Sequence, residues 1–131
     1  MNSSMSAVAA VPSRWRAAGR VLTWLAAVSA LAAAVSAISD VTQADDTALV
    51  VQTWRMYGLF LCTGLFVLLA LRPRVHGAVW ALLIADKAAL ALTAAVYLTR
   101  GGAAEAASTI GWDGGLAVIL TAAYLMTRVS P

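Results

Sequence analysis

The stretch Gly77–Thr99, GAVWALLIADKAALALTAAVYLT, decides the fold. Apart from Asp86 and Lys87 it is almost wholly apolar. At about 1.5 Å per residue, a helix over it crosses a hydrocarbon core of about 30 Å. Three runs of similar character flank it: Val21–Ser39, Thr47–Leu71 and Ser108–Thr127. Punctuation between them is short and clear. Asp45 and Asp46 stand ready to cap the second run, Pro73 closes it, Arg100-Gly101-Gly102 ends the third, and Arg128 and Pro131 follow the fourth. The expectation is an all-α chain: a polytopic membrane protein whose four transmembrane helices form an up-down bundle over residues 21–131, behind a basic cytoplasmic segment at 1–20. Residues 1–13, MNSSMSAVAAVPS, are small and polar, the composition of a mobile chain end.

Composition agrees. Of the 131 residues, 62% are hydrophobic and 11% charged, against about 45–50% and about 25% in soluble domains. Such a chain needs lipid as its solvent. The net charge of +3 does not indicate nucleic acid, because the arginines lie beside apolar runs and no recognition motif is visible. A signal peptide competes for the first run, with a basic flank and small residues near Val35-Ser36-Ala37. The run is long for that role and three spans follow it, so it reads as a retained helix. The lone cysteine, Cys62, permits no internal disulfide and reads as a small buried hydrophobe.

Charge in the short connections sets the expected orientation. Arg14, Arg16 and Arg20 precede the first span, Arg72, Arg74 and His76 separate the second and third, and Arg128 follows the fourth. Asp40, Asp45, Asp46 and Glu105 fall on the opposite side, against Arg100 alone. Both termini are therefore expected in the cytoplasm and the protein in the inner membrane, as a multi-pass protein. Packing is expected through small residues: the alanines of the first and third spans, and Gly111 and Gly115 in the fourth. Trp15, Trp24, Trp80 and Trp112 fall near span ends, as interfacial anchors do.

Arg55, Asp86, Lys87 and Asp113 do not belong in lipid. A charge at the bilayer centre costs about 2.5–3.5 kcal/mol on insertion scales, so such groups face the interior and pair. Depths estimated from the helical rise are roughly 12 Å for Arg55, roughly 8 Å for Asp113 and roughly 20 Å for Asp86 from the outer side. Arg55 is thus expected to meet Asp113 or Asp86, while Lys87 snorkels or packs. On the third span Asp86, Thr93 and Tyr97 form one stripe. On the second, Gln52, Arg55, Cys62 and Thr63 share an arc, and on the fourth Asp113, Ala117, Leu120 and Tyr124 align. These stripes are expected to face an interior cavity. Candidate catalytic residues are Asp86, Arg55 and Asp113; candidate ligand-binding residues are Tyr97, Thr93, Gln52, Tyr124 and Trp112. Phosphate loops, metal-ligand clusters and nucleophile triads are absent, so no metal or cofactor is expected.

Four spans in about 130 residues, the segment Arg55-Met56-Tyr57-Gly58 opening the core of the second span, and an acid within the third resemble the DoxX-like group of small bacterial membrane proteins. That resemblance covers most of the chain and implies association with redox-linked membrane complexes. It carries no catalytic motif. Three functions are compatible with the sequence. A non-catalytic accessory or assembly subunit, with a membrane-protein partner or a homo-oligomer, uses the alanine faces for assembly. A cofactor-independent isomerase or cyclase uses an Asp/Arg pair on a lipophilic small molecule. A small transporter is the third; multidrug transporters of this size carry a carboxylate in the first span, which Val21–Ser39 lacks.

Overall fold

The computed structural model describes residues 13–74, 76–101 and 104–128. The expectation for the first dozen residues, and for parts of the connection around 102–103 and the chain end, lies outside them. Four helices follow in order: α1 (Ser13–Gln43), α2 (Leu49–Leu71), α3 (Gly77–Thr99) and α4 (Ala106–Arg128). Each is long and apolar enough to cross a membrane, as befits a multi-pass membrane protein.

α1 runs past its apolar stretch at both ends. Arg14, Trp15 and Arg16 are compatible with helix, and nothing before Gln43 breaks it. The connection to α2 is organised by Asp45. Its Oδ1 accepts the Thr47 hydroxyl at 2.6 Å and the N–H groups of Thr47 and Ala48, each at 3.0 Å. The Thr47 hydroxyl and the Ala48 N–H hold this carboxyl below the usual carboxylate range. At the other end of α2, Arg20 of α1 caps the orphan carbonyls: Nε donates to Ala70 O at 2.9 Å and Nη2 to Leu71 O at 3.1 Å.

The helices pair as two hairpins, α1 with α2 and α3 with α4, joined by an α1/α4 seam; the α2 and α3 backbones approach closely at few points. α1 buries its small residues, Thr23, Ala26, Ala27, Ala30, Ala34 and Ala37, and turns Leu25, Val28, Leu31 and Val35 outward. Large residues outside and small ones inside is the arrangement of a helix packed in lipid, where close backbone approach replaces hydrophobic drive.

The core sits toward the end that holds the start of α1, the α2–α3 turn and the end of α4, here the terminal end. Phe66 and Leu69 of α2, Trp80 and Leu83 of α3, and Leu116 and Leu120 of α4 close on Ala26, Ala27 and Ala30. Trp80 is fully buried and not an interfacial anchor. Its indole N–H donates to Pro73 O at 2.9 Å, and its ring meets Tyr124 edge-on, with centroids 5.9 Å apart. Burial of that indole is possible because the turn supplies the acceptor it needs.

The close approaches fall elsewhere than the glycine pattern predicts. A Cβ on Gly111 or Gly115 would meet open space, whereas Gly114 backs onto Ala91. The tightest contact is at Gly19. A Cβ there would lie 2.9 Å from Met126 Cβ and from Thr127 Cγ2, and 3.1 Å from the Ala123 carbonyl. Beside it, the buried Thr23 and Thr127 hydroxyls donate back to Gly19 O and Ala123 O within their own helices.

Candidate functional site

Toward the other end, where the α1–α2 and α3–α4 connections lie, the bundle opens into a cavity of about 790 Å³. The reason is local. α1 still presents small residues here, Ala32, Ala33 and Ser36, and α2 answers with Gly58 and Cys62 instead of a large side chain. The α2 and α3 backbones approach closely at few points, and on that side the cavity is bounded by side chains, among them Cys62 and Lys87.

Lys87 lies in the wall of this cavity. Its side chain is 6% exposed, and its ammonium lies 3.2 Å from Asp113 Oδ1 and 3.3 Å from Asp86 Oδ2. The Asp113 carboxylate is itself mostly buried, whereas that of Asp86 is about half exposed, at 52%. Two acids around one buried cation offset its desolvation, and the pair across α3 and α4 also fixes the register of that hairpin. Cys62 and Leu90 line the same cavity, as do Glu105, Ser108, Thr109 and Trp112 from α4 and the connection before it.

Arg55 does not pair with Asp113 or Asp86. Its Nη1 lies 3.5 Å from Asp40 Oδ2, and both side chains are about half exposed. Because α1 continues as helix to Gln43, Asp40 rides beside the start of α2 and reaches Arg55 first. A first span ending at Ser39 would have left that acid in a loop.

The α3 stripe is also corrected. Asp86, Thr93 and Tyr97 are all exposed, and of the three only Asp86 lines the cavity. The buried face of α3 is Trp80, Leu83, Lys87 and Ala94, about 100° round from Asp86. Trp80 and Leu83 bring the largest apolar area to the interior, and Lys87, a turn further on, follows them inward. Lys87 shares that face by spacing, four residues after Leu83 and seven after Trp80, but Leu82, Leu92 and Val96 make the outward face as apolar, so the α3 sequence alone does not choose between them. By contrast, the α4 stripe faces inward along its length, with Asp113 in the cavity and Leu120 and Tyr124 in the core.

Of the candidate residues, Asp86, Arg55, Asp113 and Trp112 therefore line one cavity. Tyr124 packs on Trp80 instead. Thr93 and Tyr97 lie outside the cavity, as does Gln52, a partly buried residue whose Oε1 is buried with no hydrogen-bond partner. Among the described residues no group of three or more metal-ligating side chains converges. No protein-family model, curated protein or solved structure matches the chain.

Proposed function

We propose that this chain is a multi-pass inner-membrane protein, with both termini in the cytoplasm, that serves as a binding subunit of a membrane complex. Its cavity takes a lipophilic small molecule with a polar head. The observation that carries this reading is Lys87, an ammonium buried between two carboxylates at the wall of a cavity beside which the α2 and α3 backbones approach closely at few points. A molecule dissolved in the bilayer enters between two such helices without crossing water. Arg55 and Lys87 are outnumbered around the cavity by Asp86, Asp113 and Glu105. The charge balance favours a neutral or cationic head over a carboxylate. The positive-inside bias supports a cytoplasmic arginine-rich terminal end, an orientation in which the cavity belongs to the outer half of the membrane. Membership of a larger complex is what the DoxX-like resemblance adds.

The test is to purify the full chain in mild detergent, identify by mass spectrometry what leaves with it on organic extraction, and repeat with Gly58→Leu. Gly58 lines the cavity and a Cβ there meets open space, so the substitution adds an isobutyl group to the cavity wall and narrows the site. The expected result is one enriched lipophilic compound in the wild type, depleted in the variant. Equal recovery from both proteins would remove the cavity from the proposal.

A second reading has one observation in its favour. Asp86 is half exposed to the cavity and braced by Lys87, the placement of a general acid or base for a cofactor-independent isomerisation or cyclisation. Once the ligand is identified, turnover by the wild type and none by Asp86→Asn, with binding retained, would favour the enzyme. Retained binding with no conversion by either protein favours the binding subunit.

A further inference from the structure

The terminal end carries a second concavity, of about 350 Å³, between the start of α1, the α2–α3 turn and the end of α4. Arg16, Arg20 and Arg74 line it, with Ala17, Pro73 and Thr127. We propose that it binds the phosphate of an anionic membrane phospholipid.

Three observations converge. First, the charge is of one sign: none of the three ion pairs among the described residues involves these arginines, and no acid occurs on α1 before Asp40, in the α2–α3 turn or on the last turns of α4. Second, one guanidinium is already immobilised. Arg20 is held by the Ala70 and Leu71 carbonyls, so its remaining N–H groups have a fixed direction and need no ordering when an anion arrives. Third, the concavity lies at the ends of helices long enough to span a membrane, the level at which phospholipid head groups sit. Guanidinium forks match phosphate oxygens in pairs, and basic pockets between helices on the cytoplasmic side are where anionic head groups are held. The site lies at the opposite end of the bundle from Lys87 and does not depend on what occupies the larger cavity.

The experiment uses the full chain in an uncharged detergent, titrated separately with short-chain phosphatidylglycerol, phosphatidylcholine and inorganic phosphate and read by native mass spectrometry. Arg16→Gln/Arg74→Gln is the test variant: both side chains are exposed and neither supports the fold by a hydrogen bond among the described residues. Arg14→Gln/Arg72→Gln removes the same charge outside the concavity and leaves Arg20 in place. Phosphatidylglycerol is expected to bind in preference to phosphatidylcholine. The test variant is expected to weaken it by about twenty-fivefold, taking about fivefold for each arginine, and the control pair by much less. Equal losses in the two variants would show diffuse attraction and overturn the site. Equal binding of the two lipids, or displacement of the lipid by millimolar inorganic phosphate, would overturn the lipid assignment. Thermal midpoints measured without lipid identify a variant that has merely lost its fold; in that case Arg16→Gln alone, expected to lose about fivefold, decides.

Discussion

In the terminal half, Trp80, Phe66 and Leu69 fill the space left by Ala26, Ala27 and Ala30. In the loop half the small row of α1 continues through Ala33 and Ser36, but α2 faces it with Gly58 and Cys62, and a cavity results. The same helix thus seals one end and opens the other, and what decides is the size of the side chain opposite. Small residues on a transmembrane helix make close packing possible; they do not determine that it occurs.

Substitutions that act differently on the two halves test this contrast. The largest effect is expected from Trp80→Ala, which removes the biggest fully buried side chain. A loss of about 3–5 kcal/mol in unfolding free energy is expected in detergent, and a small loss would show that the terminal half is not a packed core. Lys87→Met comes next. Stranding the mostly buried Asp113 carboxylate is expected to cost about 3 kcal/mol, and the double variant with Asp113→Asn less than the sum of the single changes. Strict additivity in that cycle would separate the two groups energetically despite their 3.2 Å spacing.

The glycines sharpen the comparison with one chemical change made twice. Gly19→Ala drives a methyl against Met126 Cβ and the Ala123 carbonyl, neither of which is a flexible tip. A cost of about 1–3 kcal/mol is expected. Gly58→Ala meets open space and is expected to be neutral or to stabilise by up to about 1 kcal/mol through helix propensity. Thermal melts of the two variants side by side check both signs. Arg55→Gln is expected to change stability by less than about 1 kcal/mol, because a half-exposed pair with Asp40 is screened. The smallest effect concerns Asp45. Its carboxyl lies below its ordinary value in the folded chain, so its contribution is present above about pH 4 and is lost as pH falls through the folded value. Melts from pH 6 down to 3 should show a weaker acid dependence in Asp45→Asn than in the wild type.

Helix number, type and most boundaries were legible because length and apolar character are properties of each segment alone. α3 runs over Gly77–Thr99 as read, and the end of α2 at Leu71 follows from Pro73. Asp86, Arg55 and Asp113 were legible as residues out of place in lipid, and the cavity gathers all three. Their pairing was not. Arg55 found Asp40 because α1 outran its apolar stretch, and Lys87 took Asp113 because Trp80 and Leu83 set the rotation of α3. Rotation about a helix axis depends on what a neighbour offers, and no single segment encodes it. Trp80 misled for the same reason: its position near a span end was readable, but the Pro73 carbonyl that lets it turn inward was not.

Among the described residues each ion pair closes within one hairpin: Arg55 with Asp40 inside α1–α2, and Lys87 with Asp86 and Asp113 inside α3–α4. This bears on biosynthesis. A nascent chain that inserts two helices at a time never has to leave either cation waiting in the bilayer for a partner still on the ribosome. The α1/α4 seam, by contrast, joins the first helix made to the last, so Gly19 meets Met126 only after synthesis is nearly complete. On that order of insertion the charges would be settled first, and sealing the terminal half would fall to a later docking of two finished hairpins.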